Sequence, residues 1–201
     1  ECSVDLLRIV AAALQSPDVL VAHPGDRLEE PRILAEEMLT RLHDYLRLAL
    51  PTMREPLSTL RREMELAESY LGIMKLRLGD RFQFHINLPP ELGALPIAPM
   101  MVATLVENAV KHGIEPKTGA AQITICATRQ GTLLRVDVHD NGVGLAHASD
   151  RANTTGQGVG LANLSDRLLS IYGNVARLGI QTGPDGSGVL ARIELPVAEQ
   201  K

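Results

Sequence analysis

Glu107, Asn108, Lys111 and His112 crowd into the nine residues "LVENAVKHG" at 105–113. On a helix, Glu107 and Lys111 stand one turn apart, as do Asn108 and His112, so the four share a face. Val102, Leu105, Val106, Ala109 and Val110 form the opposing apolar stripe. Such a face is either an ordinary solvated surface or one wall of a polar site, and two further motifs bear on the choice. In "VDVHDNGVG", the alternation of Leu134, Val136 and Val138 reads as a strand that ends in Asp140, followed by Asn141, Gly142 and Gly144. A carboxylate there can accept a hydrogen bond from an exocyclic amine, such as adenine's. Glycines let backbone approach a flat ring where a Cβ would clash. Read blandly, the same residues are an Asp/Asn-Gly turn between strands. In "GQGVGLANLSDRLLSIYG", Gly156, Gly158 and Gly160 lead into a helix whose buried side is Leu161, Leu164, Leu168 and Ile171. Free N–H groups at such a helix start suit phosphate. The run is neither a P-loop nor a GxGxxG turn after a strand, and alone it is weak evidence. Between the two glycine motifs, "LAHASDRANTTGQ" reads as a lid or a plain loop.

The elements that must carry these residues divide the chain in two. Up to Gly79 the pattern is helical. Residues 4–15 are Ala/Leu-rich, and "SPDVLVAHPGDR" follows as a loop. Leu34, Met38, Leu42, Tyr45 and Ala49 then make one helical face, interrupted by Pro51 and Pro56. After Ser58 as an N-cap, Leu60, Met64, Ala67, Leu71, Met74 and Leu78 alternate in fours and threes like a heptad seam. That seam serves helices packing within one chain or a helical-hairpin dimer. From residue 80, strands are expected at "RFQFHINL", "QITICATR" and "LLRVDVHD", with a closing hairpin in "ARLGIQTGPDGSGVLARIELP". Strands and helices mix without regular βαβ alternation, so the fold class is α+β: a helical hairpin over 1–79, then an α/β sandwich over 80–201, a sheet with helices on one face.

Composition narrows the function classes. With 201 residues and 45% apolar content the chain can build a real core. A formal charge of −4 and only two Phe, three Tyr and no Trp argue against nucleic acid as a partner. Cys2 and Cys126 form no CxxC, so neither a zinc site nor a disulfide framework is suggested. "IVAAALQSPDVLVA" is too interrupted to span a bilayer, and no signal peptide is read. A cytoplasmic setting is expected, either free or as the cytoplasmic part of a membrane-anchored receptor.

Taken in this order, "LVENAVKHG", "DNGVG", "GQGVGLANLSDRL" and "GSGVLARIELP" resemble the N, G1, G2 and final-strand boxes of the histidine-kinase type ATP-binding domain. The surrounding text, "LHDYLRLAL", "LRREMELAESYLGIMKLRLGDR" and "LPIAPMMVATLVENAVKHGI", is similar to the LytS-type sensor histidine kinases, over about residues 38–196. The resemblance implies ATP and Mg2+ as ligands. It implies that Asn108 ligates the metal, which usually keeps waters and takes few protein ligands. Glu107 would polarise a reacting group or a metal-bound water, and Lys111 and His112 would face the phosphates. Asp140 would hold the adenine amine, with Gly142 and Gly144 beneath the ring. Gly156, Gly158 and Gly160 would close on the phosphates, with Leu161 and Asn163 just inside the following helix. A homodimer and a response-regulator receiver domain are the implied partners.

One departure matters. Kinases of this family carry a phosphoacceptor histidine in a motif like "PHFLFN", which this sequence lacks; by eye, Glu1 falls at the histidine position. His43, followed by Asp44 and then "YLRLALP", faintly resembles the acceptor box of the commoner histidine kinases and is the candidate retained. It also reads as an ordinary surface residue. His23 lies in a loop, and His85, His139 and His147 fall in the ATP-binding part. Two functions follow: a kinase core that phosphorylates a histidine and then a response regulator, or a non-catalytic ATP-binding dimer module. A third, an anti-sigma-factor serine kinase, fits the long helical region poorly.

Overall fold

The computed structural model describes residues 29–52, 54–145 and 159–197. The helix expected at 4–15, His23, the lid segment with His147, and Gly156 and Gly158 lie outside the described residues.

Helix α1 (Glu29–Thr52) buries Met38, Tyr45 and Ala49, the spacing read from the sequence, against the next helix. Pro51 sits inside its last turn and does not end it early. A two-residue strand, β1 (Ser58–Thr59), precedes α2 (Leu60–Leu78). The N-cap is Thr59, not Ser58: its hydroxyl accepts from the Arg62 N–H, while Ser58 is buried and pairs with Ile97. The seam residues Leu60, Met64, Ala67, Leu71 and Met74 are buried in the same core as the sheet. The seam is therefore used within this chain, because the five-stranded sheet offers it a continuous apolar surface.

That sheet runs β2–β4–β5–β7–β6, formed by β2 (Phe82–Asn87), β4 (Ala121–Gln130), β5 (Leu133–Asp140), β6 (Arg177–Thr182) and β7 (Val189–Pro196). Only β2 and β4 are parallel. A small strand, β3 (Pro96–Ile97), pairs with β1. Alternation turns Ile123, Ile125 and Ala127 of β4, and Leu134, Val136 and Val138 of β5, into the core. By the same parity Asp140, the last residue of β5, also points inward. The outer face carries polar pairs, including Arg135 with Glu194 and Arg192 with Asp137 across neighbouring strands.

Against the inner face lie α2, α3 (Met101–Asn108) and α4 (Val159–Tyr172). This is the α+β arrangement expected, with helices on one face of the sheet. On α4 the buried positions are Leu164 and Leu168, with Leu161 half-buried, whereas Ile171, expected inside, is 44% exposed. Tyr172, four residues after Leu168, takes the inner position instead, and its hydroxyl accepts from the Ala98 N–H at 2.8 Å.

Candidate functional site

The segment "LVENAVKHG" is not one uniform helix. It is α-helical through Asn108 and continues as a π-helical turn over Ala109–Ile114, where the Glu115 N–H bonds to the Val110 carbonyl. The wider turn changes the expected i,i+4 stacking of Lys111 and His112 over Glu107 and Asn108. π-turns concentrate at functional sites, and this one carries Lys111 and His112 directly after Glu107 and Asn108. Lys111 is exposed, and Glu107, Asn108 and His112 are half-buried.

The turn delivers Gly113 to the end of β5. A Cβ on Gly113 would stand 2.4 Å from Asp140 Oδ1, and a Cβ on Gly142 would stand 2.4 Å from the Gly113 backbone. The room at Gly142 is thus taken up by protein backbone. Gly144 is needed for its backbone angle (φ 79°), having only ordinary contacts around a Cβ. The Val143 N–H bonds back to the Gly113 carbonyl at 3.2 Å, locking the loop after β5 onto the π-turn. On the other side Gly188 (φ 64°) packs against the Asp140 carbonyl so closely that no Cβ could fit. Gly113 and Gly188 were not among the residues assigned from the sequence, although each sits in a motif singled out there.

Asp140 is 2% exposed. Its Oδ1 accepts from the Gly142 N–H at 2.8 Å. Burial pushes the carboxyl above its ordinary range, while the Gly142 and Val189 N–H groups and nearby His139 and Lys117 pull it down. Asn141 fastens the same strand end: its Oδ1 accepts from the Gln122 N–H, and its carbonyl accepts from Lys117 Nζ.

Asn108 donates Nδ2 to the Thr104 carbonyl at 2.7 Å, which sets the amide plane. A Cβ built on Gly160 would lie 3.4 Å from Asn108 Nδ2 and 3.7 Å from Oδ1. The start of α4 and the Asn108 amide therefore lie next to each other, at a spacing where a Cβ on Gly160 would make ordinary contact with the amide. Leu161 is half-buried, while Asn163 is exposed. Asn108 thus lies by Gly160, and Asp140 by Gly113 and Gly142, with the π-turn joining the two groups along the chain. His43 does not join them: it is on α1 with its side chain 78% exposed, its Nδ1 3.7 Å from Asp44 Oδ1. Among the described residues no group of three His, Cys, Asp or Glu side chains is placed to hold a metal ion. No described helix is long and apolar enough to cross a membrane.

The five-stranded mixed sheet with its helices against one face defines the class as an α+β sandwich, the fold expected of a histidine-kinase type ATP-binding domain. Family models agree. Residues 98–199 match the histidine kinase-, DNA gyrase B- and HSP90-like ATPase model and residues 27–82 match the histidine kinase model, and the chain belongs to this family of histidine kinases. It is similar to sensor protein LytS of Staphylococcus epidermidis, 29% identical over 162 residues, covering 77% of this chain and 27% of that protein. LytS of Staphylococcus haemolyticus is 30% identical over 166 residues, covering 79% and 28%. The chain therefore spans little more than a quarter of these relatives. The catalytic domain of histidine kinase ThkA superposes with a TM-score of 0.51 at 17% identity, covering 72% of this chain and 97% of that one. Histidine kinase AdeS of Acinetobacter baumannii superposes with a TM-score of 0.52 at 16% identity, covering 96% and 95%. ThkA has also been solved in complex with a response regulator, TrrA, and that structure matches with a TM-score of 0.52 at 14% identity, covering 96% and 57%. These structural likenesses establish the fold.

Two outcomes test the geometry. Gly113→Ala is expected to destabilise the chain by about 1–3 kcal/mol in urea unfolding, the usual cost of overpacking. Gly179→Ala, where a Cβ meets nothing within 4 Å, is expected to be neutral by comparison. For Asp140, the folded carboxyl titrates above the unfolded one, so its stabilising proton is held below the unfolded value and lost as pH rises through the folded one. Asp140→Asn should therefore flatten the decline in stability over that window, read as the urea midpoint against pH.

Proposed function

We propose that this chain is the Mg-ATP-binding core of a sensor histidine kinase and that it passes the γ-phosphate to a histidine and then to a response-regulator aspartate. The observation that carries the reading is the interlock of Asp140 with Gly113 and Gly142, on the segment that runs directly on from Asn108; it supports a buried acceptor and an amide serving one site. The residues present fit the ligand. The Asp140 carboxylate can accept from the adenine amine, and burial makes that bond discriminating because an unmatched group there is left unpaired. Asn108, with Nδ2 committed to Thr104, has its amide oxygen to offer a cation; no carboxylate cage is needed for a metal that shares its coordination with phosphates and water. Bound Mg2+ supplies charge neutralisation along the phosphates. Glu107, Lys111 and His112 line the same stretch: the ammonium and imidazole suit phosphate oxygens, and the Glu107 carboxylate suits orienting a reacting group or metal-bound water. Gly160, with Gly156 and Gly158 before it in sequence, would let the α4 start approach the phosphates, ahead of Leu161 and Asn163.

The helical region to residue 79 is read as the dimerisation and phosphotransfer-like part, and residues 80–201 as the ATP-binding part, with α2 also walling the core of the latter. Because the α2 seam is consumed internally, a homodimer would use α1. There, exposed Leu39 and Leu50 and half-buried Leu46 run along the side that bears His43. The solved ThkA complex supports a response regulator as partner. A cytoplasmic location follows from this role. A second reading is favoured by one observation, the missing "PHFLFN"-type motif: an ATP-binding module whose acceptor is elsewhere or lost.

Calorimetry should show Mg-ATP binding that Asn108→Ala weakens at least about tenfold with the urea midpoint unchanged, a tenfold loss being about 1.4 kcal/mol. Binding unaffected by that change would sink the site assignment. Incubation with γ-labelled Mg-ATP then separates the readings. Acid-labile, alkali-stable label lost in His43→Ala establishes a self-contained kinase core. Binding without label establishes the module.

A further inference from the structure

Glu63 is an ionisable side chain with 0% exposure, and no nucleotide role calls for it. It stands on α2, yet its carboxylate reaches α3: Oε1 accepts from the Met100 N–H at 2.9 Å and Oε2 from the Val102 N–H at 3.2 Å. Those are orphan donors at a helix start, and a carboxylate there also faces the positive end of the helix dipole. Met100 takes a left-handed conformation (φ 64°), the only non-glycine among the described residues to do so. That backbone strain is sustained where its N–H meets Glu63.

The far end of the same segment is held by the far end of the same helix. Arg77, in the last turn of α2, pairs with Glu115, the residue after the π-turn, at 2.5 Å. From Glu63 to Arg77 is fourteen residues, about 21 Å of helix. Met100 to Glu115 is fifteen residues of nearly continuous helix, and the two rods match in length. Two residues past Glu115, the Lys117 carbonyl accepts from Arg81 and its ammonium donates to the Asn141 carbonyl, beside Asp140.

We propose that α2 is a splint for the nucleotide-binding segment, with Glu63 and Arg77 as positioning residues that fix where Glu107, Asn108 and Gly113 stand relative to Asp140. The functional consequence rests on the nucleotide reading above; the mechanical one does not. Because α1 packs on α2, the splint also gives the helical region a direct mechanical connection to the site.

Arg77 is the useful probe. Its pair is partly exposed, so losing it costs little global stability, whereas Glu63 is so buried that its removal threatens the fold. In Arg77→Ala, amide hydrogen exchange of the nucleotide-free chain should speed up over residues 108–117, with β4, β5 and β7 and the urea midpoint unchanged. Mg-ATP affinity should fall about fivefold to tenfold, the lower range of couplings between distant groups. The charge swap Arg77→Glu with Glu115→Arg should recover both. Arg135→Ala, which removes a similarly half-buried ion pair between β5 and β7 on the outer face of the sheet, should change neither the exchange over 108–117 nor the affinity. Unchanged exchange over 108–117 in Arg77→Ala, or no recovery in the swap, overturns the splint. If the wild-type chain bound no nucleotide, the site reading would fall, and the exchange data would still decide for or against the splint.

Discussion

A carboxylate buried at the end of a strand against a glycine of the neighbouring helix is the constraint on which the rest of the site depends. Asp140 points inward because Leu134, Val136 and Val138 do, so the parity that builds the core also carries a charge into it. Burial on that scale is costly unless the group is hydrogen-bonded, and the bond from the Gly142 N–H meets part of the need. The close approach of Gly113 excludes any side chain at that point. It demands that the helix layer be registered to the sheet within a fraction of an ångström. The π-turn, the loop after β5 and the glycine-initiated hairpin strand can each be understood as meeting that demand.

Registration of this kind needs support from outside the site. α3 has no polar side chain of its own at its N-cap, and its start is held by Glu63 of α2 and, through Ala98, by Tyr172 of α4. The π-turn that continues it is tied to Arg77 through Glu115. A helix that looked like half of a dimer seam is, in the folded chain, the rod along which the site is aligned. The stability of α2 and the placement of the segment that carries Asn108 and Gly113 are consequently one problem.

Much of this was legible in the residues. The strand ending in Asp140, the helix carrying Leu164 and Leu168 on its buried side, and the helices on one face of the sheet all follow from local periodicity and element order. What was not legible required contacts distant in sequence. Glu63 sits between seam positions and reads as a solvated charge; only the fold shows it beneath α3. Gly113 reads as the end of a helix until Asp140 is placed against it. The π-turn has no periodic signature, since one extra residue in a short helix leaves the apolar stripe almost unchanged. The choice between Ser58 and Thr59 as a cap turned on where the helix begins: it starts at Leu60, which leaves Thr59 as the residue placed to accept from the Arg62 N–H. Ile171 gave way to Tyr172 because a hydroxyl was needed at Ala98.

The most direct measurement is a pair of calorimetric titrations of the intact chain, with Mg-ATP and with Mg-inosine triphosphate, which carries a carbonyl where ATP carries the exocyclic amine. If Asp140 is the acceptor that reads the base, ATP binds at least about tenfold more tightly, because the carbonyl sets a second acceptor against a buried carboxylate with no donor between them. Equal affinity for the two nucleotides would contradict that assignment.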